Sequence, residues 1–595
     1  MLTIYDYAAI AFFFLFMLAL GPIFKRFSKD DSDFFRGGAQ MLWWMVGGSA
    51  FMTQFSAWTF TGAASKAYQD GTLVALIFLA NAAGFFINYV WFAPRFRRMR
   101  IVSWTEAIRE RFGAVNEQVF TWLQIPMSLV YAAIWLNGLA VFATAVFGFD
   151  MTQTIWVVGI VVIVLSVAGG TWAICAGDFI QLLILMAVSI VTAFLVLGHT
   201  DIGGVSGLMD KVPSHHFNWS EVVRPQVLWF WIIATFVHKL VTLNNMQDAY
   251  RYLGVKNEQQ ARKAALLASV LMLIGPIIWF IPPMAARVLS PDLSVQFPML
   301  KNPEEASYIF AAMNVLPVGM MGLLVCGLFA ATISSMDSGL NRNAGIFVRS
   351  FYQRVVKDPS PKQLLIAGRL SSAVFGILII LIAVFISQLK GMDLFNVMLL
   401  FTGLIAIPYV MPLLWGMLYK NTPAWSAWST VVIGFAISFS ISFSYTAADG
   451  SDVYLIDPNW FGDVCGFDSD MSKREVKDYI YFFGLLANVV VCSCWFFFTS
   501  LFQKNSGSEH RDRVDKFFTG MNTPVDFEKE IGEGKDQVQS KVLGILCYVY
   551  GGFISLGALI PVNHVSGRIA FLFCGGLIGG VGFLLHRASK KEQNH

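Results

Sequence analysis

Long apolar stretches separated by short polar ones run along nearly the whole 595-residue chain. About 20 consecutive apolar residues are enough for a helix to cross a bilayer. We therefore predict an all-α membrane protein with about fifteen transmembrane helices. Their limits lie near 5–24, 42–68, 71–96, 118–147, 153–169, 172–198, 226–253, 261–289, 318–348, 366–389, 391–416, 423–445, 478–502, 541–562 and 568–586.

Composition agrees with this pattern, because 56% of the residues are apolar and only 13% are charged. Soluble proteins carry roughly 25% charged residues. The first apolar stretch lacks a basic start and a small-residue cleavage site, so we interpret it as a permanent helix rather than a signal peptide. The small net charge of +4 follows from the Lys and Arg in loops. It predicts contact with membrane lipid and no binding of nucleic acid.

Basic clusters fall only in alternate loops between the predicted helices. They are Lys25–Arg26, Arg95–Arg100, Lys256–Lys263, Arg349–Lys362, Lys504–Lys535 and Arg587–Lys591. Loops on the cytoplasmic side of a membrane carry an excess of Lys and Arg. We therefore expect a multi-pass protein of the cell membrane with its N-terminus outside and its C-terminus in the cytoplasm.

Four hydroxyls and one carboxylate interrupt the apolar helix predicted over 318–348, in the stretch from Ala331 to Ser338. Ser334, Asp337 and Ser338 have helical i, i+3 and i+4 spacing and share one face. A carboxylate at the bilayer centre costs roughly 2.5–3.5 kcal/mol even on the lenient insertion scale, so it needs a compensating partner. Hard oxygen ligands on one face suit a small hard cation. The stretch therefore predicts half of a sodium site.

The predicted helix over 42–68 is unusually polar between Gly48 and Gly62. Clusters of Gly, Ser and Thr favour a local break in a helix. Transporters bind ions and substrates at breaks of this kind, where carbonyls and helix ends are exposed. Close helix packing through small residues is the alternative interpretation.

Further polar residues interrupt the apolar stretches at Asp178, at His238 and from Asn244 to Arg251. Asp178 is either a cation ligand or an acid favoured by its place near a helix start. His238 is either a hydrogen-bonded core residue or part of a substrate site. We expect the polar stretch from Asn244 to Arg251 to approach the cytoplasmic surface, where Arg side chains extend toward water.

Together, the Ser-rich stretch 331–338, Gly177–Gln181 and the Ser-Ala-x-x-Phe-x-Gly string at 56–62 make the chain resemble the sodium:solute symporter family over roughly 5–445. The resemblance implies a LeuT-like core of two inverted five-helix repeats, at 42–198 and 226–416. Residues 1–41 would add an N-terminal helix. Residues 417–595 would add C-terminal helices and a cytoplasmic insert at about 503–540.

The resemblance also implies sodium ligands. The family's shared sodium site corresponds to the carbonyls of Met52, Phe55 and Ala331 and the hydroxyls of Ser334 and Ser335. A second site found in some members corresponds to Asp178, Ser334, Asp337 and Ser338. The chain departs from the family here, because Asp337 stands where a small hydroxyl residue is expected. Two close carboxylates repel each other unless one is protonated or a cation lies between them. Either two sodium ions or one sodium ion and a proton could then be coupled.

For the solute, the resemblance implies a pocket beside the first broken helix. The corresponding positions are Gln54, Trp58, Thr59, Phe78, Asn81, His238, Met272 and Leu399. In sugar-carrying members several of these positions hold long polar or charged residues, whereas Phe78, Met272 and Leu399 are apolar here. The predicted helix over 118–147 has no Arg, which argues against a strongly acidic solute.

We therefore expect a sodium-coupled symporter that imports a small neutral or zwitterionic organic solute, with a sugar or polyol among the candidates. The alternatives are a proline-type amino acid symporter and a sensor built on the same scaffold. A sensor needs a signalling domain, and 503–540 and 587–595 are too short for one. No nucleophile–base pair, metal cluster or phosphate loop predicts an enzyme.

Overall fold

The computed structural model describes residues 2–25, 39–101, 103–166, 171–356, 358–389, 393–446, 452–467, 469–530, 532 and 536–591. Helices make up nearly all of these residues. The side chains of a few residues inside helices, Ser334, Asp337 and Ser338 among them, also lie outside the described set.

The N-terminal half contains both short and long helices. They are α1 (Ile4–Lys25), α2 (Trp43–Thr53), α3 (Ala57–Phe60), α4 (Gly62–Asp70), α5 (Ala75–Ile87), α6 (Ala93–Arg98), α7 (Trp104–Phe112), α8 (Ala114–Phe147), α9 (Met151–Ser166), α10 (Thr171–Leu197), α11 (Gly204–Lys211), α12 (Pro225–Thr242), α13 (Ala249–Tyr252), α14 (Glu258–Trp279) and α15 (Ile281–Leu289).

The C-terminal half continues in the same way. Its helices are α16 (Ser307–Val315), α17 (Met320–Phe347), α18 (Gln353–Val355), α19 (Pro361–Gln388), α20 (Leu394–Phe401), α21 (Ile407–Leu418), α22 (Ser426–Ser442), α23 (Asn459–Cys465), α24 (Lys473–Phe498), α25 (Ser508–Asn522), α26 (Phe527–Glu530), α27 (Asp536–Leu556) and α28 (Val565–Lys591). Within the described residues the strands are β1 (Ser444–Thr446) and β2 (Asp452–Tyr454), which pair antiparallel with Ser444 opposite Tyr454.

Among the described residues, nine helical segments are long and apolar enough to cross a membrane. A tenth arises if Pro225–Thr242 and Met246–Tyr252, which meet at a 54° bend, count as one. Four shorter apolar helices lie at Ile4–Leu20, Met151–Val164, Met320–Ile333 and Ser426–Ser442. Every stretch predicted from hydropathy contains a helix, so the chain is a multi-pass membrane protein.

Glycines let the helices around α2 approach one another closely. A methyl group placed on Gly47 of α2 would lie 2.8 Å from the carbonyl oxygen of Ala264 on α14. A methyl group on Gly84 of α5 would lie 2.9 Å from the carbonyl oxygen of Lys239 on α12. Small residues at such contacts are typical of helix packing in membranes. The first broken helix is therefore enclosed by helices that are distant in sequence.

The loops predicted to share the cytoplasmic side meet in the structure. Ion pairs join Arg98 to Glu258 at 2.9 Å, Arg100 to Glu530 at 2.9 Å and Lys256 to Asp536 at 2.7 Å. At the other end of α5, the C-terminus of α4 and the N-termini of α12, α20 and α24 lie around one cavity. This grouping agrees with the alternation of loops that the charge pattern predicts.

Candidate sodium and solute sites

The helix predicted over 42–68 is broken twice. Its first part, α2, ends at Thr53, and α3 begins after Ser56, whose hydroxyl accepts the Trp58 amide at 3.3 Å. Thr61, with φ −123° and ψ −82°, separates α3 from α4. The Ser56 hydroxyl provides the cap that lets a new helix start inside a buried segment. The polar composition of this segment therefore produces the predicted break.

The break faces the Ser-rich helix α17. The amide of Ala57, at the start of α3, donates a hydrogen bond to the Thr332 hydroxyl at 3.3 Å. Ala331 is fully buried, and the Ser335 hydroxyl donates to its carbonyl at 3.2 Å. The broken helix therefore contacts the Ser-rich helix within the interior, next to the predicted sodium ligands Phe55 and Ala331.

Two of the predicted carbonyl ligands lie at the end of α2. The Met52 carbonyl accepts the Phe55 amide at 3.2 Å and keeps a second lone pair. Met52 and Phe55 are both fully buried. The predicted ligands Ser334, Asp337 and Ser338 lie outside the described side chains, so their orientation stays a prediction. No group of three His, Cys, Asp or Glu side chains among the described residues is arranged to hold a metal ion.

Asp178 is buried on α10, with 1% of its surface exposed, and faces α2 and α13. Its carboxylate accepts a hydrogen bond from the Ser49 hydroxyl and lies 3.5 Å from the Arg251 guanidinium. Arg251 also donates to Ser49 and, at 2.7 Å, to the Tyr250 hydroxyl. The carboxylate is therefore held by a cation and a hydroxyl from two other helices.

This arrangement differs from the expectation for Arg251. The hydropathy pattern places its guanidinium toward the cytoplasmic surface, yet Arg251 is only 7% exposed. A buried acid recruits a basic partner because an unpaired charge in the interior is costly. The sequence shows one acid and one base inside apolar stretches, but no local spacing predicts that Asp178 and Arg251, 73 positions apart, form a pair.

An aromatic cluster lies against the break on its other side. The Trp279 ring centroid is 4.4 Å from that of Phe55 and 5.6 Å from that of Phe78. Trp279 is 1% exposed, and its indole N–H has no hydrogen-bond partner among the described residues. Met272 is buried on the same helix, α14. Sequence reasoning selected Phe78 and Met272 and missed Trp279, which connects them to the break.

Trp58 belongs to a second group, at the end of the break nearer α20. Its indole N–H donates to the Leu394 carbonyl at 3.3 Å, and its ring stacks on Phe395 at 5.8 Å. Thr59 beside it is 2% exposed, and Leu399 on α20 is 7% exposed. The resemblance supplied Trp58, Thr59 and Leu399, whereas Phe395 had no signal of its own.

A buried carboxyl group supports this end of α20. Glu305 accepts a hydrogen bond from the Leu394 amide at 3.1 Å and is 3% exposed. Burial raises the pKa of Glu305 to about 7, although the Leu394 hydrogen bond lowers it. The carbonyl of the same residue, Leu394, accepts the hydrogen bond from the Trp58 indole. Glu305 therefore helps to position the start of α20, to which Trp58 is bound.

The remaining candidates lie apart from these two groups. Asn81 donates to the Ile77 carbonyl at 3.1 Å, and its side-chain oxygen is buried with no partner among the described residues. The His238 ring nitrogen Nδ1 lies 3.5 Å from the Tyr481 hydroxyl. Gln54 lines a small cavity of about 20 Å³ together with Arg251. The structure thus distributes the predicted solute residues over several places instead of one pocket.

Comparison with known proteins decides the family. The sequence profile of the sodium:solute symporter family matches residues 34–434, more than half of the chain. The chain belongs to the sodium:solute symporter family. Membership makes it a sodium-coupled membrane transporter of an organic solute and not an enzyme, as predicted.

Three relatives of this symporter have similar identities but different solutes in their names. The sodium/glucose cotransporter of Vibrio parahaemolyticus is 26% identical over 70% of this chain and 81% of its own length. The sodium/sialic acid symporter NanT of Aliivibrio fischeri is 25% identical over 72% and 86%. The rabbit (Oryctolagus cuniculus) sodium/myo-inositol cotransporter 2 is 25% identical over 73% and 69%.

A solved structure shares the fold of this symporter. It is a Na⁺-coupled sialic acid symporter in a substrate-bound, outward-open state, which matches with a TM-score of 0.61. The match covers 83% of this chain and 98% of that protein at 21% sequence identity. The predicted fold class is confirmed at this level, as that of a nearly all-helical transporter with the architecture of the sialic acid symporter.

Proposed function

We propose that the protein uses the sodium gradient to import a small polyhydroxylated solute, a sugar or polyol. The observation that carries the proposal is the hydrogen bond from Ala57 to Thr332, which joins the broken helix to the Ser-rich helix. A cation bound between Met52, Phe55, Ala331 and Ser335 would hold these two helices together. The relatives with glucose, sialic acid and myo-inositol in their names support this class of solute.

The core of this symporter consists of the inverted repeats 42–198 and 226–416. The N-terminus lies outside the cell and the C-terminus inside. The meeting of Arg98, Arg100 and Lys256 with the insert on one face supports this orientation. Sodium enters from outside, strengthens the contact between α3 and α17, and shapes the solute pocket. By linkage, the solute then tightens sodium binding by the same factor.

The number of coupled ions depends on the carboxylates. Asp178 and Asp337 could bind a second sodium ion or share a proton. The Arg251 guanidinium, 3.5 Å from Asp178, already supplies one positive charge there. Charge movement per transported solute, measured from pH 5 to 8, separates these alternatives. A constant two charges would exclude the proton, whereas normal transport with unchanged ion dependence in Asp337→Ser would make that carboxylate unnecessary.

Sodium coupling is tested by uptake into vesicles that contain the purified protein. We expect accumulation of glucose, myo-inositol or sialic acid against its gradient with sodium outside, and none without sodium. The variant Ser335→Ala removes one proposed ligand and should raise the sodium concentration needed for half-maximal uptake.

Ser371→Ala is the matched control, because Ser371 is also a buried helix serine. Its hydroxyl donates to the carbonyl of Ala367 four residues earlier, at 2.7 Å, as Ser335 does to Ala331. Loss of one such bond alone should leave sodium dependence unchanged. Equal sodium dependence in both variants, or uptake that persists in sodium-free medium, would refute the proposed site.

A further inference from the structure

Two groups of helices meet at the predicted cytoplasmic face. The first helix group consists of α2, α5, α12 and α14, which the close glycine contacts around the broken helix hold together, and of α6, which continues α5. The second helix group consists of α7, α8, α21 and the start of α22. Arg111 on α7 donates hydrogen bonds to the Gly416 and Tyr419 carbonyls at the end of α21, both at 3.0 Å. Asn116 on α8 donates to the Ala424 carbonyl just before α22 at 2.8 Å.

The two helix groups touch each other close to this face. Met246, between α12 and α13, is fully buried. A methyl group placed on Gly416 of α21 would lie 2.6 Å from the Phe112 ring of α7 and 3.2 Å from the Met246 side chain. Transporters release their solute when one group of helices moves against another. Opening toward the cytoplasm would therefore separate Met246 from Phe112 and Gly416.

The C-terminal end of α25, in the insert 503–540, is bound to the first helix group. Arg100, which follows α6, is the main contact, because a positive charge is favourable at the C-terminus of a helix. Its guanidinium donates hydrogen bonds to three carbonyls of the insert, those of Gly520 at 3.2 Å, Thr523 at 3.1 Å and Pro524 at 2.7 Å. Glu258, at the start of α14, accepts the Val525 amide at 2.9 Å.

The N-terminal end of α25 is bound to the second helix group. The His510 ring nitrogen Nε2 lies 3.1 Å from the Thr422 carbonyl oxygen. The Asp515 carboxylate lies 2.5 Å from the Lys420 ammonium. Lys420 and Thr422 belong to the loop between α21 and α22. Arg111 fixes this loop to α7 through hydrogen bonds to the Lys420 carbonyl and the Thr422 hydroxyl, at 3.1 and 2.7 Å.

Between its two ends, α25 buries one face. His510, Val514, Phe517 and Met521 are each at most 8% exposed, and their spacing places them on one side of the helix. α25 contacts α6 of the first helix group and α7 of the second. The insert therefore lies across the boundary between the two groups, with one polar attachment on each side.

We propose that the insert is a strap that holds the two helix groups together at the cytoplasmic face. One of its ends must detach before the transporter opens inward, so the strap limits how often the cytoplasmic side opens. The inference goes beyond the proposed function, because it requires the movement of a transporter but not the identity of the solute. It depends on the proposed orientation only for the direction in which the transporter opens.

Variants at the two ends of α25 test the strap. Arg100→Ala frees the C-terminal end, and His510→Phe/Asp515→Ala frees the N-terminal end; a third variant combines all three substitutions. Lys529→Ala is the control within the insert, because its side chain is 85% exposed and pairs with Asp526 in the same turn. Each protein also carries Met246→Cys, which reports separation of the helix groups. The purified proteins are labelled with a maleimide in detergent without sodium, and labelled positions are identified by peptide mass.

We expect labelling at position 246 to be roughly tenfold faster when either end is freed, the factor that corresponds to the loss of one hydrogen bond to a charged group. The combined variant should be no faster, because a strap released at one end no longer holds. Lys529→Ala should leave the rate unchanged. The native Cys574 on α28, with 0% exposure, should stay unlabelled in every variant.

Three results would overturn the strap. They are unchanged labelling at position 246 in both end variants, effects that multiply in the combined variant as for two independent contacts, and a parallel rise at Cys574, which would indicate general unfolding. Since no solute is added, a failure of the proposed sugar or polyol transport leaves this result unaffected. Equally, loss of the strap would not contradict sodium-driven uptake.

Discussion

The buried contact between Asp178 and Arg251 gives the sharpest test of the interior. We consider the replacement of Arg251 by Met, which keeps a long side chain and removes the charge. The Asp178 carboxylate would then retain the Ser49 hydroxyl but lose the guanidinium 3.5 Å away. Both side chains of the pair are buried, at 6% and 1% exposure, so water cannot replace the lost partner.

The size of the effect follows from this distance and burial. Two unit charges 3.5 Å apart attract each other by about 5 kcal/mol at an effective dielectric constant near 20. Removing one partner of a buried pair generally costs about 3–5 kcal/mol, because the other charge is left uncompensated. We expect Arg251→Met to lose stability in this range. Asp178→Asn/Arg251→Met should be more stable than Arg251→Met alone, since neither charge then remains.

The assay is the thermal transition of the purified protein in detergent, with the four proteins of the double-mutant cycle compared at one heating rate. Sodium provides a second measurement. If Asp178 also binds sodium, the ion can replace the missing guanidinium, and sodium should stabilise Arg251→Met more than the wild type. Additive effects of the two substitutions, with no recovery in the double variant, would refute the proposed pairing.

Three further predictions concern other parts of the structure. The pKa of Glu305 is about 7 in the folded protein and 4.5 ordinarily. Between pH 4.5 and pH 7, Glu305 is therefore protonated in the folded protein but ionised in the unfolded chain. Stability should therefore fall by up to about 3 kcal/mol as pH rises from 4.5 to 7, and Glu305→Gln should remove that slope in thermal unfolding. Gly138→Val should impair uptake and lower the transition temperature, because a methyl group at Gly138 would lie 3.0 Å from the backbone of the broken helix. Gly580→Ala is the control and should change neither, because the space around Gly580 is open. Arg100→Ala should speed proteolysis of the insert, since its guanidinium donates hydrogen bonds to three insert carbonyls. Lys529→Ala should not, because the ion pair of Lys529 with Asp526 lies within one helical turn.

The hydropathy pattern predicted the helices well because each apolar stretch is a property of neighbouring residues. The break after Thr53 was also predictable, since Ser56 and the adjacent small residues act locally as a cap. Contacts between distant segments were harder to predict. The sequence shows that Asp178 and Arg251 are charged within apolar stretches, but only the packing of α10 against the α13 region makes them partners.

The predicted solute residues also show that contacts between distant segments are hard to predict from the sequence. Family resemblance transferred positions such as Trp58 and Phe78, but it gave no information on the residues that cover them. Phe395 and Trp279 lie in ordinary apolar helices, where an aromatic residue is usually part of the core. Their role comes from contact with the broken helix, through ring distances of 5.8 Å to Trp58 and 4.4 Å to Phe55.

These contacts suggest how sodium and solute could affect each other without touching. Thr332 holds the start of α3 on one side, and the Leu394 carbonyl holds the Trp58 indole on the other. Both contacts come from the first two residues of α3, Ala57 and Trp58, so neither residue can shift without moving the other. An ion that fixes α3 against α17 therefore also fixes Trp58 against Phe395, on which its ring stacks. Coupling in this symporter would then depend on the direct neighbourhood of Ala57 and Trp58 in the chain.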